Sequence, residues 1–175
     1  MELMLFEAKL RSAHNSTSSI IYEVKSESDK NLAVYMITRN VAFNIELDRG
    51  YAAYMKQTAI INICRIDDIF KNKAFKTFLL EDKGMISILF TNTNTIEILD
   101  LWVEPEFRRG GYGRLLLNFI IQQYPNYNLE LLVNATNENA IRLYTSLGFE
   151  SLGKVKSKKS TGIGVNSVRM VRTSK

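Results

Sequence analysis

Six residues in the middle of the chain have the composition of a phosphate-binding loop. Residues 108–113 read Arg-Arg-Gly-Gly-Tyr-Gly. Glycines let a ligand approach the backbone closely, and the first amides of a helix lack an internal partner, so an anion is stabilised there. The two arginines add positive charge. The same glycines would also suit an ordinary tight turn, so this loop alone leaves both interpretations open.

The elements that must position the loop are visible on either side of it. Residues 95–103 are rich in leucine and β-branched residues, which predicts a strand buried on both faces, and Pro105 ends it because proline cannot donate to a sheet. Apolar residues then recur at helical spacing, which predicts a helix from about Gly111 to Tyr124, stopped by Pro125. The spacing fits neither GxxxxGK[ST] nor GxGxxG, the better-known phosphate-binding patterns.

A second block of functional residues follows one strand later. Residues 137–149 read NENAIRLYTSLGF, and residues 128–133 between the two blocks predict a strand parallel to 95–103, because a helix connects them. The order V-x-P, [R/Q]-x-x-G-x-[G/A] and N-x-x-A-x-x-L-Y-x-x-L-G-F resembles the GNAT superfamily of acyl-CoA-dependent N-acyltransferases. The resemblance covers roughly residues 81–170.

The resemblance implies both a fold and a co-substrate. The expected fold is α/β, with a central, mostly antiparallel sheet that contains one splayed parallel strand pair and is flanked by helices. Acetyl-CoA would place its pyrophosphate on the loop amides, its pantetheine arm would pair with the end of the strand, and the residue at 137 matches the family position that contacts this arm. The predicted cofactor-binding residues are Leu101, Trp102, Val103, Arg108, Arg109, Gly110, Gly111, Tyr112, Gly113, Arg114 and Asn137.

Acyl transfer to an amine needs a general acid and a general base. Tyr144 matches the family tyrosine that protonates the departing thiolate, although a buried aromatic can also be purely structural. For the base, strict alternation would place Glu97 on one strand face with Leu99 and Leu101, where desolvation raises the pKa of a carboxyl group. By ungapped count it also matches the base position of the histone-acetylating branch. Asp100, expected on the other face, is the second candidate, and a structural ion pair is the alternative for each carboxylate.

Composition predicts one ordinary globular domain over residues 1–175, with residues 1–18 as an N-terminal extension of uncertain structure. The chain is 46% hydrophobic and 23% charged, and no apolar run reaches the ~20 residues of a membrane span. Cys64 is the only cysteine, so no internal disulfide is expected and a cytoplasmic location is predicted. The only histidine, His14, lies in a polar stretch, which argues against a cysteine nucleophile. No metal site is predicted.

The acceptor side of the chain is less legible. Residues 26–29 predict a helix N-terminus, and the family places two helices after it. Residues 41–47, however, alternate like a strand, residues 48–50 look like a turn, and residues 58–63 are β-rich. The acceptor therefore stays open among a small amine, an antibiotic, a protein N-terminus, a lysine and an aminoacyl-tRNA. The sequence also leaves monomer and homodimer open.

Positive charge is concentrated after residue 150, although the whole chain carries only +5. The segment from Lys154 to the end has no aromatic residue interleaved with its cations, so nucleic-acid binding is disfavoured. The predicted function is an N-acetyltransferase that acts on an amine of a small molecule or protein by direct attack. The alternatives are a non-catalytic acyl-CoA-binding or sensing protein and an acetyltransferase of aminoacyl-tRNA.

Overall fold

The structure of the chain, a computed structural model, describes residues 6–8, 19–47, 70–156 and 166–174. These residues form one eight-stranded sheet with three α-helices and a short 3-10 helix. The strands are β1 (Phe6–Ala8), β2 (Ser19–Glu23), β3 (Phe75–Leu80), β4 (Gly84–Phe90), β5 (Thr95–Val103), β6 (Asn128–Asn134), β7 (Glu150–Lys156) and β8 (Asn166–Arg172). The helices are α1 (Glu27–Leu47), α2 (Tyr112–Gln123) and α3 (Glu138–Ser146), and the 3-10 helix spans Pro105–Phe107.

The sheet is mixed, as the sequence predicted. Its strand order is β1-β2-β3-β4-β5-β6-β8-β7, and strands β1 to β5 run antiparallel to their neighbours. Strand β6 returns through α2 and therefore joins β5 in parallel. Strand β8 lies between β6 and β7 and runs antiparallel to both. Within the described ranges, no helix is both long and apolar enough to cross a membrane.

Helix α1 begins where the sequence placed a helix N-terminus. The backbone N–H of Asp29 donates to the hydroxyl of Ser26 at 3.1 Å, and the Asp29 carboxylate accepts from the N–H of Ser26 at 3.1 Å. This reciprocal pair is a capping box with aspartate in the place of the usual glutamate. The hydrogen bond from the Ser26 side chain holds the pKa of Asp29 below its usual range.

The strand predicted for residues 41–47 is wrong, because these residues form the last two turns of α1. Seven residues of alternating polarity do not separate a short strand from an amphipathic helix. A longer window would have distinguished the two, since Ala33, Met36 and Phe43 recur at helical spacing and lie on the face of α1 that packs against the sheet. The Phe43 ring meets Trp102 of β5 edge-on, with ring centroids 5.8 Å apart. The predictions for residues 48–50 and 58–63 lie outside the described residues.

The sheet separates two hydrophobic cores. The larger one lies between the sheet and helices α2 and α3, and fully buried Leu116 and Ile120 of α2 belong to it. The smaller one lies under α1 and contains Leu79, Met85 and Trp102. Strand β5 contributes to both cores, so its two faces support different parts of the candidate site.

Candidate active site

A β-bulge interrupts the pairing of β4 with β5. Ser87 lies opposite Asp100 and Ile88 lies opposite Ile98, so Leu99 is an extra residue on β5. The side chain of Leu99 is 44% exposed, which is unusual for a leucine in a central strand. A bulge bends its strand and increases the local twist.

Strand β5 separates from β6 at the same point. The parallel pairing runs from Thr95 opposite Asn128 to Ile98 opposite Leu131 and then stops. Beyond it, β5 stays paired with β4 as far as Val103, and the rest of β6 stays paired with β8. The edges that face each other across the gap are therefore free of strand pairing. This is the splayed parallel pair that the resemblance implied.

The bulge also corrects the predicted strand faces. The β4 partners of Glu97 and Asp100 are Leu89 and Ser87, which are two residues apart and so share a face of the sheet. Both carboxylates therefore lie on the α1 face, whereas Leu101 packs into the core under α2. The prediction that Glu97 shares a face with Leu101, with Asp100 opposite, is wrong because it assumed unbroken alternation. One inserted residue reverses the phase of the strand.

The glycines of the phosphate loop serve two different purposes. Gly111 is the N-cap of α2 with φ +82°, no side chain caps the helix there, and a Cβ at this position would meet nothing within 4 Å. The space in front of the helix amides is therefore open. A Cβ on Gly113 would lie 3.3 Å from Leu143, so this glycine lets α2 approach α3 closely. The loop combines an exposed helix N-terminus with a tight helix packing.

The arginines around the loop do not act as one group. The guanidinium of Arg108 lies 4.6 Å from the Trp102 ring centroid and 4.7 Å from that of Phe43, and its Nε donates to the Val103 carbonyl at 3.1 Å. Burial there lowers the pKa of Arg108. These contacts hold the Arg108 side chain on the α1 face of the sheet. Arg109, at φ +69°, is exposed beside the helix N-terminus.

Two other predicted cofactor residues have structural partners. Arg114 donates to the hydroxyl of Ser146 in α3 at 2.8 Å, and the Tyr112 ring packs edge-on against Phe107 with centroids 6.1 Å apart. Their side chains stabilise the surroundings of the loop. Gly110 also has limited room, because a Cβ there would lie 2.7 Å from the Tyr112 ring.

The residues at the end of α3 fix the orientation of Tyr144. The N–H of Gly148 donates to the carbonyl of Thr145, and the N–H of Phe149 donates to the carbonyl of Tyr144, each at 3.1 Å. This is the double hydrogen bond of a Schellman motif, and its usual apolar contact is made by the Tyr144 and Phe149 rings, with centroids 5.7 Å apart. The Leu-Gly-Phe sequence therefore holds the tyrosine ring against the core.

Tyr144 and Asp100 influence each other electrostatically. Tyr144 is buried, and burial, followed by the negative charge of Asp100, raises the pKa of its phenol. Burial also raises the pKa of the Asp100 carboxyl, against a hydrogen bond of 3.0 Å that Asn40 of α1 donates to it. The acid candidate and one base candidate thus share the same electrostatic neighbourhood.

Glu97 has a different charged neighbour. Its negative charge helps to raise the pKa of Arg169, whose main partner is Glu130, to which it is ion-paired and hydrogen-bonded. Arg169 and Arg172 belong to the basic end of the chain, and Arg172 donates to the carbonyl of Leu147 at 3.2 Å. These two arginines of the basic segment are therefore already bound to other parts of the protein. Residues 157–165 lie outside the described residues.

Sequence reasoning missed two polar residues of the site. Asn40 lies sixty residues before Asp100 in the chain, and continuing the α1 periodicity through Phe43 would have placed it toward the sheet. Asn134, at the end of β6, is 7% exposed, and its Oδ1 accepts from the N–H of Thr136 at 3.0 Å. Its Nδ2 is buried without a hydrogen-bond partner among the described residues. No local sequence pattern marks that donor.

Asn137 caps α3. Its side-chain oxygen accepts from the N–H of Ala140 at 3.2 Å. The cap orients the side chain at the N-terminus of the helix, so the remaining amide donor is fixed in place. The structure thus gives Asn137 a definite local role at the position where the resemblance implied a contact with the pantetheine arm.

The comparisons with known proteins agree with this geometry. The model of the Acetyltransferase (GNAT) family matches residues 43–149. A [ribosomal protein bS18]-alanine N-acetyltransferase of Salmonella typhimurium is 42% identical over 55 residues, which are 30% of this chain and 37% of that relative. The match thus spans well under half of the relative's length.

Solved structures match over most of the chain. The ribosomal-protein-S18-alanine N-acetyltransferase from Escherichia coli aligns with TM-score 0.62 and 20% identity over 88% of this chain and 92% of its own. A spermidine N-acetyltransferase from Vibrio cholerae, solved with CoA and spermine, aligns with TM-score 0.61 and 18% identity over 88% and 94%. At these identities the likeness concerns the fold. With the family model matching more than half of its residues, this chain belongs to the acetyltransferase (GNAT) family of acyltransferases.

Proposed function

We propose that the protein is an N-acetyltransferase that moves the acetyl group of acetyl-CoA to an amine by direct attack. One observation carries the proposal: the pairing of β5 with β6 ends at Ile98, two residues before Asp100, and the negative charge of Asp100 acts on the phenol of Tyr144. A carboxylate and a phenol at one opening can serve as a base and an acid for the same reaction. Family membership and the open helix N-terminus support acetyl-CoA as the donor.

The described residues fit acetyl-CoA along its length. The backbone amides of the loop and of the first α2 turn would hold the pyrophosphate, since Gly111 leaves the approach open, and Arg109 would add charge. The free edge of Leu101–Val103 would take the peptide-like pantetheine arm as an added strand. Asn137 and the unpartnered Nδ2 of Asn134 would supply further hydrogen bonds. Trp102 would contribute through its backbone only, because its side chain is in the core under α1.

Acetyl-CoA supplies an acetyl group activated as a thioester, and its transfer to an amine forms a C–N bond, breaks the C–S bond and releases CoA as a thiol. Tyr144 would give its phenolic proton to the departing sulfur. Its raised pKa keeps the phenol protonated at neutral pH, so the proton is available when it is needed. Glu97 and Asp100, both on the α1 face, are the candidates for taking the proton of the amine.

The acceptor enters this proposal as a chemical class. The relatives named above act, by their names, on an alanine of ribosomal protein bS18 and on spermidine, so alanine peptides and spermidine both belong in a first panel. A neutral amine must reach the gap from the α1 face, where the two carboxylates lie. Arg169 on that face is already paired with Glu130, which removes one cation from any surface for RNA.

The test is release of free thiol from acetyl-CoA in the presence of each member of an amine panel. The panel contains peptides that begin with alanine, a peptide with an internal lysine, spermidine, an aminoglycoside and an aminoacyl-tRNA. Amine-dependent thiol release by the wild type, with an acetylated product seen by mass spectrometry, is expected. Tight acetyl-CoA binding without release on any amine would instead indicate a sensor of acyl-CoA.

A further inference from the structure

We propose that Asp100 is the residue that takes the proton from the acceptor amine, and that Asn40 of α1 is its positioning residue. The inference rests on the proposed function and goes beyond it by choosing between the two carboxylates of the α1 face. It also gives α1 a part in the chemistry.

The first support is position along β5. Asp100 immediately follows the bulge residue Leu99, two residues beyond Ile98, where the pairing with β6 ends. Part of the residue is exposed to solvent. Glu97 lies before this point, in the part of β5 that is still paired with Glu130 of β6. A base must be within hydrogen-bonding reach of the amine, and the gap is where an amine can meet the donor.

The second support is electrostatic pairing. Asp100 acts on the phenol of Tyr144, whereas Glu97 acts on Arg169. The base takes a proton from the amine nitrogen and the acid gives one to the sulfur, and both atoms are bonded to the same acetyl carbon. Asp100, which interacts electrostatically with Tyr144, is therefore better placed than Glu97.

The third support is the hydrogen bond from Asn40. Its Nδ2 donates to Oδ1 of Asp100 at 3.0 Å, which orients the carboxylate and leaves Oδ2 for the amine. Burial raises the pKa of Asp100 despite this bond, so the group is more basic than an exposed aspartate. Two described neighbours of this pair are accounted for: Ser87 of β4 lies opposite Asp100, and Arg39, next to Asn40 in α1, is ion-paired with Glu104 at 3.0 Å.

The step can be written in full. As the amine nitrogen forms its bond to the acetyl carbon, one N–H proton passes to Oδ2 of Asp100. The C–S bond breaks, its electron pair stays on sulfur, and the sulfur takes the phenolic proton of Tyr144. Asp100 then releases its proton to solvent and Tyr144 regains one, so no further reactant is required.

The experiment measures kcat/KM between about pH 5 and 10 for the wild type, Asp100→Asn, Glu97→Gln and Asn40→Ala, on the amine that the panel identifies. Asp100→Asn should lower kcat/KM by about 10²- to 10⁴-fold, the range of general-base catalysis. Glu97→Gln, at the rival carboxylate, should lose at least tenfold less activity than Asp100→Asn, and Glu150→Gln, at an exposed carboxylate of β7, is the control that should stay within about threefold of the wild type. Asn40→Ala should move the acidic limb of the profile to higher pH, because the lost bond normally favours the ionised carboxylate.

Folding and cofactor binding are measured on the same variants. Asp100→Asn should melt no lower than the wild type at pH 7, since it removes a desolvated charge, and calorimetry should show unchanged acetyl-CoA affinity. An equally active Asp100→Asn, or a larger pH-dependent loss in Glu97→Gln, would overturn the assignment while leaving the proposed function intact. An unmoved acidic limb in Asn40→Ala would remove its positioning role. A wild type that binds acetyl-CoA and transfers to no amine would overturn the proposed function itself.

Discussion

The two sides of the gap between β5 and β6 are built in different ways. On the proposed phosphate side, a contiguous loop and the helix that follows it would supply the binding groups, and Gly111 leaves the approach open. On the acceptor side, Asn40 and Asp100 come from elements sixty residues apart and meet only because a bulge shifts the strand. A local motif can therefore carry cofactor binding, whereas acceptor chemistry depends on how the whole sheet is assembled.

The largest expected effect is the loss of acetyl-CoA binding when the phosphate side alone is disrupted. Gly111→Glu places a carboxylate where the pyrophosphate would lie and forces a non-glycine residue to φ +82°. Acetyl-CoA should then no longer raise the melting temperature, an increase expected of any ligand that binds only the folded state. Gly111→Asn is the control, because asparagine tolerates positive φ and adds no charge. A full thermal shift in Gly111→Glu would contradict the cofactor site.

The next effect separates chemistry from binding. Tyr144→Phe keeps the ring contact with Phe149 and removes the phenolic proton. We expect turnover to fall by about 10²- to 10⁴-fold while the acetyl-CoA affinity measured by calorimetry is unchanged. Tyr127→Phe, in an aromatic cluster with Phe90 and Tyr124, is the matched control and should be fully active. Normal turnover in Tyr144→Phe would show that another group protonates the thiolate.

A smaller effect tests whether Arg108 stabilises the fold or binds acetyl-CoA. Because its guanidinium stacks on Trp102 and Phe43, Arg108→Gln should lower the free energy of unfolding by about 1 kcal/mol and change acetyl-CoA affinity less than about threefold. Arg109→Gln should do the reverse and weaken acetyl-CoA binding by about tenfold, near 1.4 kcal/mol. Urea denaturation and calorimetry on both variants decide the matter. If Arg108→Gln weakened acetyl-CoA binding and left the free energy of unfolding unchanged, Arg108 would be assigned to the phosphate site instead.

The smallest effect concerns the start of α1. Ser26→Ala removes the cap and should cost about 1 kcal/mol of unfolding free energy at pH 7, with Ser28→Ala as a neutral control in the same turn. The capping bonds hold the pKa of Asp29 low, so their stabilisation is complete above its unfolded-state pKa of about 3.9 and is lost as the pH falls through the folded-state value. Denaturation at pH 7 and about pH 2.5 should therefore show a smaller difference in acid. An equal difference at both pH values would contradict the capping role of Asp29.

The elements that form the phosphate side could be predicted from the sequence. The end of β5 and the start of α2 lie where glycine, proline and helical spacing placed them, because those signals act over a few residues. The face of Glu97 could not be predicted, since strict alternation holds only without a bulge, and no residue type marks Leu99 as an insertion. Asn40 was missed for a related reason: a short alternating window was interpreted as a strand and hid the longer helical period.

The bulge at Leu99 determines which residues of β5 lie on which face of the sheet. Deleting that one residue would remove the bulge and leave its neighbours on their present faces, because Ile98 and Asp100 already lie on opposite faces of the sheet. If β5 instead kept Leu99 but alternated strictly through it, with Asp100 in place, every residue before Leu99 would turn over. Ile96 and Ile98 would then point to the side of α1, and Glu97 would point into the hydrophobic core under α2. Loops usually absorb changes in chain length, but here the strand itself absorbs one extra residue, so that the same strand can serve a hydrophobic core before the bulge and the proposed reaction after it.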